Sequence, residues 1–127
     1  MGYAGPMRFE PGELAWLAET EEIEIETSGP GGESHRTIIW IMVDADDAFI
    51  RSVNGPTARW YREAVANPTV TIHADGHTLA AQVVAAPDPE SVGRVNDALR
   101  AKYTGITGLR EMLEPDIYPT TLRVEPA

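Results

Sequence analysis

The sequence predicts an α+β domain with about six mostly antiparallel β-strands and two to three flanking helices. Six segments have the alternating, β-branched or aromatic composition of strands. Two of these segments surround Asp75-Gly76, a dipeptide typical of a tight hairpin turn. The helical segments do not alternate with strands in the parallel βαβ order that a Rossmann fold requires. Short antiparallel strands in this number close into a barrel or pack helices on one face.

The first half of the chain predicts a helix, a strand and a hairpin. Pro11 suits the first turn of a helix that ends at Glu19. The segment Glu22–Thr27 alternates isoleucine with polar residues, as a half-buried strand does. The β-branched and aromatic run Arg36–Asp44 predicts one long strand buried on much of both faces. An acidic turn then leads into the next strand, residues 48–53.

The second half predicts a helix, the clearest hairpin of the chain, a second helix and a last strand. Thr57 is the predicted N-cap of the first helix, and Pro68 ends it because the residue before a proline avoids the α region. The later helix carries an apolar stripe at helical spacing. The predicted ranges are residues 57–67, 69–86, 88–103 and 118–124.

Length and composition favour one domain over residues 1–127, and its net charge of −10 bears on its partners. Residues 1–50 hold eleven acids and two bases. Such a surface disfavours nucleic acid, which needs several cationic contacts. No apolar run approaches the length of a membrane span, so we expect no membrane association. The start of the chain lacks the pattern of a signal peptide, which makes the cytoplasm the expected compartment.

Sequence templates for hydrolytic catalysis are absent. The chain has no G-x-S-x-G, P-loop or HExxH motif, and it has no cysteine. His73, Asp75 and His77 alternate around the hairpin turn, where they either share one edge and bind a metal or stand at an exposed tip. The exposed tip is the prediction, so we expect no metal site.

Three of the ten basic residues, Arg51, Arg59 and Arg62, lie within twelve positions around an Asn-Gly-Pro turn. A strand that ends near Ser52 and a helix that starts after the turn place free N–H groups at a positive helix end, which is a candidate anion site. Arginine side chains match the geometry of phosphate or carboxylate. In the alternative interpretation the helix is simply well capped and the arginines pair with the acidic half of the chain.

Four aromatic residues are candidates for lining a pocket for a planar ligand. They are Trp40, Trp60, Tyr61 and Tyr103. Buried aromatic side chains more often belong to the core. The sequence is therefore compatible both with a ligand pocket and with a core role for these four residues.

Three segments of the chain carry a family resemblance. They are TIIWIMVDADDAFIRSVNGPTARWYREA, VNDALRAKY and PTTLRV. In this order they resemble a bacterial family of uncharacterised proteins with a Trp-rich strand, a VRSxNGPxxRWY-like segment and an AYRAKY-like helix. That family is similar in turn to the FMN-binding split β-barrel group, which includes pyridoxamine-phosphate oxidases and deazaflavin-dependent nitroreductases.

The resemblance implies a six-stranded split barrel that forms a homodimer with the cofactor at the subunit interface. It implies that FMN or a deazaflavin lies with its ring against the backbone of residues 39–41, beside Trp40 or Trp60. It also implies a set of residues around the cofactor phosphate: Arg36, Thr37, Arg51, Ser52, Asn54 and Arg59.

The leading hypothesis is therefore a flavin- or deazaflavin-dependent oxidoreductase acting on a small organic molecule. In such enzymes the cofactor carries the hydride, and the protein supplies orientation and exclusion of water. The rival hypothesis is a cofactor-free small-molecule enzyme, such as an isomerase, cyclase or lyase, or a ligand-binding protein on the same barrel. Fold alone does not separate these classes.

Overall fold

A computed structural model describes residues 7–127, so the first six residues of the predicted domain lie outside the described part. The helices of this part are α1 Pro11–Glu19, α2 Arg59–Ala66, α3 Pro89–Tyr103 and α4 Leu109–Met112, with 3₁₀ turns at Gly55–Thr57 and Pro115–Thr120. The strands are β1 Ile23–Ser28, β2 Ser34–Ile39, β3 Met42–Asp44, β4 Asp47–Ile50, β5 Thr69–Ala74, β6 His77–Ala85 and β7 Leu122–Pro126. None of the described helices is both long and apolar enough to cross a membrane.

All seven strands belong to one antiparallel sheet in the order β2-β1-β5-β6-β7-β4-β3. The predicted α+β class is confirmed, and so is the hairpin at Asp75-Gly76, where both residues have positive φ. The prediction of six strands and two to three helices is wrong in number. The single strand predicted over Arg36–Asp44 is two strands, β2 and β3, which are interrupted at Trp40 and Ile41.

This interruption explains the shape of the sheet. Strands β2 and β3 lie at opposite edges of the sheet, yet only Trp40 and Ile41 connect them. A flat sheet of seven strands would separate its edges by about 29 Å, given six strand spacings. The three Cα steps from Ile39 to Met42 span at most about 11 Å. The sheet must therefore curl until its two edges meet at the Trp40–Ile41 link, which produces a barrel that is split between β2 and β3.

The core has two parts, one on each face of the curled sheet. The interior of the barrel is filled by aliphatic side chains such as Ile25, Ile50 and Ile72, together with Leu17 of α1 and Trp60 of α2. The outer cluster packs α3 and α4 against β3 and β4, and it consists of Met42, Phe49, Ala86, Val95, Leu99, Tyr103, Met112 and Ile117. Because β4 contributes to both clusters, it is buried on both faces, which fixes the strand that leads to Arg51.

The segment between β4 and α2 differs from the prediction. Gly55 has a φ of 79° and starts a 3₁₀ turn that includes Thr57. The helix therefore begins at Arg59 with Ala58 as its N-cap, and the prediction of Thr57 as N-cap is wrong. Instead, the carbonyl of Thr57 accepts a hydrogen bond from Arg62 Nε at 3.1 Å. No side chain caps α2, so its first N–H groups have no side-chain acceptor.

Candidate functional site

The strongest candidate site is a cleft at the split between the two sheet edges, which we call the edge cleft. Its volume is 270 Å³. Most of the lining is apolar, and the polar groups come from a few side chains. The lining residues are Glu22, Thr37, Ile38, Ile39, Trp40, Arg51, Val53, Asn54, Trp60, Gly108 and Met112.

Trp40 is held in place at this cleft by stacking. Its ring lies parallel to that of Tyr103, with the ring centroids 3.9 Å apart and the planes 3° from parallel. Gly108, whose φ of 104° favours glycine, lies against the far edge of the indole, and a Cβ there would stand 3.5 Å from Trp40. The Tyr103 hydroxyl donates to the carbonyl of Glu21 at 2.6 Å. These contacts fix the indole against α3, so Trp40 forms a rigid wall of the cleft.

Arg51 lies at the inner end of the cleft and is 1% exposed. Its guanidinium donates to Thr121 Oγ1 at 2.9 Å, to Asn96 Oδ1 at 2.7 Å and to the carbonyl of Met112 at 3.0 Å. A longer contact of 3.5 Å reaches the carbonyl of Val92, and the Tyr118 ring lies 4.9 Å away. Burial lowers the pKa of Arg51 to about 10, so the side chain stays charged near neutral pH. Since all of these acceptors are neutral, the positive charge is buried without a carboxylate partner.

Ser52 and Asn54 shape the turn beside Arg51. Ser52 is fully buried, and its hydroxyl donates to the carbonyl of Gly55 at 2.7 Å. Its backbone N–H donates to Thr120 Oγ1 at 3.0 Å. Asn54 is exposed and lines the cleft. Of these two predicted phosphate ligands, only Asn54 has a side chain that faces the cleft.

The two outer arginines differ in their partners. Arg36 is exposed on β2 and pairs with Glu24 at 3.5 Å and Glu26 at 3.9 Å, beside a different groove. Arg59 is exposed at the first position of α2, and within residues 7–127 it forms no salt bridge. It is therefore the basic side chain of the predicted set that is most available to an anion.

Helix α2 is fastened to the barrel through Glu63. This buried carboxylate accepts from Thr27 Oγ1 at 2.7 Å and pairs with His35 Nδ1 at 2.9 Å. Burial raises the pKa of Glu63, but the hydrogen bonds from Thr27 and His35 outweigh it and leave the pKa below its ordinary value. The same helix turn carries Trp60, so these bonds position one wall of the edge cleft.

The structure brings half of the ten predicted site residues to the edge cleft: Thr37, Trp40, Arg51, Asn54 and Trp60. The others lie elsewhere. Tyr61 is half-buried and edge-on to Trp60, and Tyr103 is buried behind Trp40.

Sequence reasoning missed several residues of the cleft. Gly108 and Met112 come from a segment for which the sequence predicted no element, and their place becomes clear only once α4 packs beside Trp40. Ile38 and Val53 were missed as well, and they are 62% and 45% exposed at its rim. Both belong to the few large apolar side chains that are exposed in the described part of the chain.

Seven antiparallel strands curled around an apolar interior, with a cleft at the open seam, define a split-β-barrel protein. The chain belongs to the bacterial family described as "Uncharacterized protein conserved in bacteria (DUF2255)", whose profile matches residues 13–124. The resemblance inferred from the sequence is thereby confirmed. A comparison with curated protein sequences found no match.

Three solved structures illustrate the range of proteins that share this fold. HutZ, the heme storage protein from Vibrio cholerae, is 18% identical at a TM-score of 0.67, covering 95% of this chain and 92% of that one. A NimC/NimA family protein from Clostridium acetobutylicum is 17% identical at a TM-score of 0.62. The match covers 89% of this chain and 75% of that one. An F420 reductase is 18% identical at a TM-score of 0.61. The match covers 94% of this chain and 96% of that one. Identities this low establish the fold and leave function to the site.

Proposed function

We propose that the protein binds a planar flavin-like cofactor, FMN or a deazaflavin, in the edge cleft and acts as an oxidoreductase on a small organic molecule. One observation carries this proposal: two tryptophans and two isoleucines surround a cleft that also holds one buried cation and one exposed amide. Such a lining suits a flat aromatic ring with polar edges. The fold shared with an F420 reductase adds support from analogy.

The residues of the cleft fit the ring of a flavin better than its phosphate. Trp40 and Trp60 offer rigid aromatic surface for a planar ring. The positive charge of Arg51 favours an electron-rich group nearby. However, Arg51 already donates to three protein acceptors at 3.0 Å or less, and Arg36 is paired with acids. The phosphate would therefore be held by Arg59, Asn54 and the uncapped N–H groups of α2.

A homodimer is part of this proposal. At 270 Å³, the cleft is slightly below the range of about 300–1,000 Å³ that is typical of ligand pockets. A second copy placed over Ile38 and Val53 would cover the exposed apolar rim and enclose the ligand. Light scattering tests this assembly, and a clean monomer that nevertheless binds flavin would remove the partner from the site.

When bound, the cofactor would supply hydride transfer. The chain itself would orient the ring with Trp40 and Trp60, exclude water with its apolar rim, and place the fixed charge of Arg51 beside the ring. No nucleophilic side chain is needed for this chemistry.

One observation favours a second candidate, a cofactor-free enzyme or binding protein for an uncharged planar molecule. Glu22 lies in the same cleft as Arg51, and the chain as a whole carries a charge of −10. Both features weaken binding of an anionic cofactor but leave an uncharged aromatic ligand unaffected.

Titration with FMN, deazaflavin F420 and lumiflavin separates these candidates, because lumiflavin has the ring without the phosphate. Replacement of Trp40 by leucine should weaken every ring ligand about 5–10-fold. Arg59→Ala should weaken FMN about tenfold and leave lumiflavin unchanged. Arg100→Ala, a change of an exposed arginine on α3, is the matched control. If no flavin binds at high micromolar concentration, the cofactor proposal is wrong, and binding of lumiflavin alone favours the second candidate.

A further inference from the structure

A second cavity lies beside Lys102, the only lysine of the chain. Lys102 is in the last turn of α3, and its Nζ donates to the carbonyl of Leu17 at 3.0 Å and to that of Ile41 at 2.7 Å. Both acceptors are neutral. The cavity has a volume of 260 Å³ and is lined by Ala18, Glu19, Glu21, Lys102, Tyr103 and Ile106.

The two carbonyls orient the nitrogen of Lys102. An amine nitrogen has four tetrahedral positions. In Lys102 one is the bond to Cε, and two are N–H bonds that point to the carbonyl oxygens of Leu17 and Ile41. After loss of one proton, the remaining two hydrogens stay on the carbonyls, since only hydrogens bond to such acceptors. The lone pair then occupies the fourth direction. Lys102 also lines the cavity, and its Nζ has no third hydrogen-bond acceptor within residues 7–127, although the Tyr103 ring centroid lies 5.2 Å away. The fourth direction is therefore left for a molecule that enters the cavity.

The surroundings of Lys102 favour loss of that proton. Burial lowers the pKa of Lys102 to about 8, although Glu21 opposes this shift. The other ionisable groups that face the cavity are Glu19 and the Tyr103 hydroxyl. Burial raises the pKa of Tyr103, which keeps the hydroxyl protonated and bonded to the Glu21 carbonyl. Lys102 therefore has a larger neutral fraction near neutral pH than a lysine in water has.

We propose that Lys102 is a reactive amine that forms an imine with small uncharged aldehydes or ketones that enter this cavity. The nitrogen lone pair attacks the carbonyl carbon, a C–N bond forms, and the proton released from nitrogen is taken up by the carbonyl oxygen. Loss of water from the resulting carbinolamine gives the imine, so one amine and one carbonyl compound yield one imine and one water. No oxidant or reductant takes part.

The cavity selects the carbonyl compound by charge and size. Glu19 and Glu21 line it, so α-keto acids and other anionic carbonyl compounds are repelled. The apolar members Ala18 and Ile106 accept a short alkyl chain. This activity is independent of flavin binding in the edge cleft, and it survives if the edge cleft proves to bind no cofactor.

The test uses the full chain carrying Arg100→Lys, which adds an exposed lysine two residues away on the same helix and keeps the charge. The protein is incubated with propionaldehyde and cyanoborohydride near neutral pH, and mass spectrometry of peptides quantifies alkylation at both positions. We expect position 102 to react roughly tenfold faster, because its larger neutral fraction outweighs the lower nucleophilicity of a weaker base. The rate at position 102 should rise through a midpoint near 8, the pKa of Lys102.

Two further measurements test whether a difference in alkylation rate between positions 102 and 100 comes from the folded cavity. Pyruvate in place of propionaldehyde should lower the ratio of the rate at position 102 to the rate at position 100, because Glu19 and Glu21 lie beside position 102. Unfolding in urea should abolish the preference for position 102, because both lysines are then in water. Alkylation at position 102 that is no faster than at position 100 in the folded protein overturns the proposal, and so does a preference that persists in urea.

Discussion

Two cations that form no salt bridge within residues 7–127, the buried Arg51 and the partly buried Lys102, differ in the hydrogen-bonding capacity that they leave unused. The Arg51 guanidinium donates to two side chains and to backbone carbonyls, and it stays charged. The Lys102 amine has two carbonyl acceptors and a pKa near 8. A guanidinium with this many acceptors is a fixed charge that organises the fold. An amine with two acceptors and a lowered pKa is a group that titrates.

The largest expected effect is on the Arg51 side. Arg51→Ala removes donors from Thr121, Asn96 and the carbonyl of Met112, all in a buried site. Buried acceptors left without donors are costly, so we expect the free energy of unfolding to fall by about 3 kcal/mol or more. Urea denaturation followed by circular dichroism measures the loss.

Arg59→Ala is the matched control for that prediction, because Arg59 is exposed and only eight positions away. Its effect on the free energy of unfolding should stay within about 0.5 kcal/mol. Equal losses of unfolding free energy in the two variants would show that Arg51 and Arg59 both stabilise the fold. That result would contradict the distinction between a buried structural arginine and an exposed one.

The Lys102 side is best distinguished by pH. Its pKa of about 8 in the folded protein lies below the ordinary value of 10.5, so the unfolded chain binds more protons between these values. The free energy of unfolding of the wild type should therefore rise across this window relative to Lys102→Met, by about 1–2 kcal/mol. Parallel pH profiles of the two proteins would contradict the lowered pKa and weaken the proposal of a reactive amine.

A smaller effect, in a lower pH range, is expected at Glu63, which fastens α2 to the barrel. Its pKa lies below the ordinary 4.5, so it stabilises the fold above that pH, and the contribution is lost as the pH falls through the folded value. Glu63→Gln should cost about 1 kcal/mol at neutral pH and nothing in strong acid. Acid titration of both proteins, followed by tryptophan fluorescence, checks this difference; a constant gap at all pH values would contradict it.

The smallest effect is expected at Arg36, whose pairs with Glu24 and Glu26 are exposed and long. Arg36→Gln should change the free energy of unfolding by less than about 0.5 kcal/mol, and salt should remove even that change. A loss above 1 kcal/mol in urea denaturation would mean that this surface is buried by another molecule.

Much of the fold follows from local sequence patterns. The alternation in β1, the hairpin at Asp75-Gly76 and the helix that begins at Pro89 each depend on neighbours along the chain, so they were predicted correctly. The break at Trp40 and Ile41 was not predicted. An apolar run that crosses from one sheet edge to the other has the same composition as a continuous strand. Nothing local in that segment indicates that it passes between sheet edges.

The sequence by itself determined that this chain is an α+β protein with a cluster of arginines and aromatic residues around an Asn-Gly-Pro turn. Only the tertiary structure decided their roles. Burial by α3, α4 and the Thr120–Thr121 segment made Arg51 a fixed internal charge, while Arg59 stayed exposed on α2. Curling of the sheet brought Trp40 and Trp60 to one cleft and left Lys102 in another cavity. Charge and polarity are properties of residues, but the solvent and acceptors that set their chemistry come from distant parts of the chain.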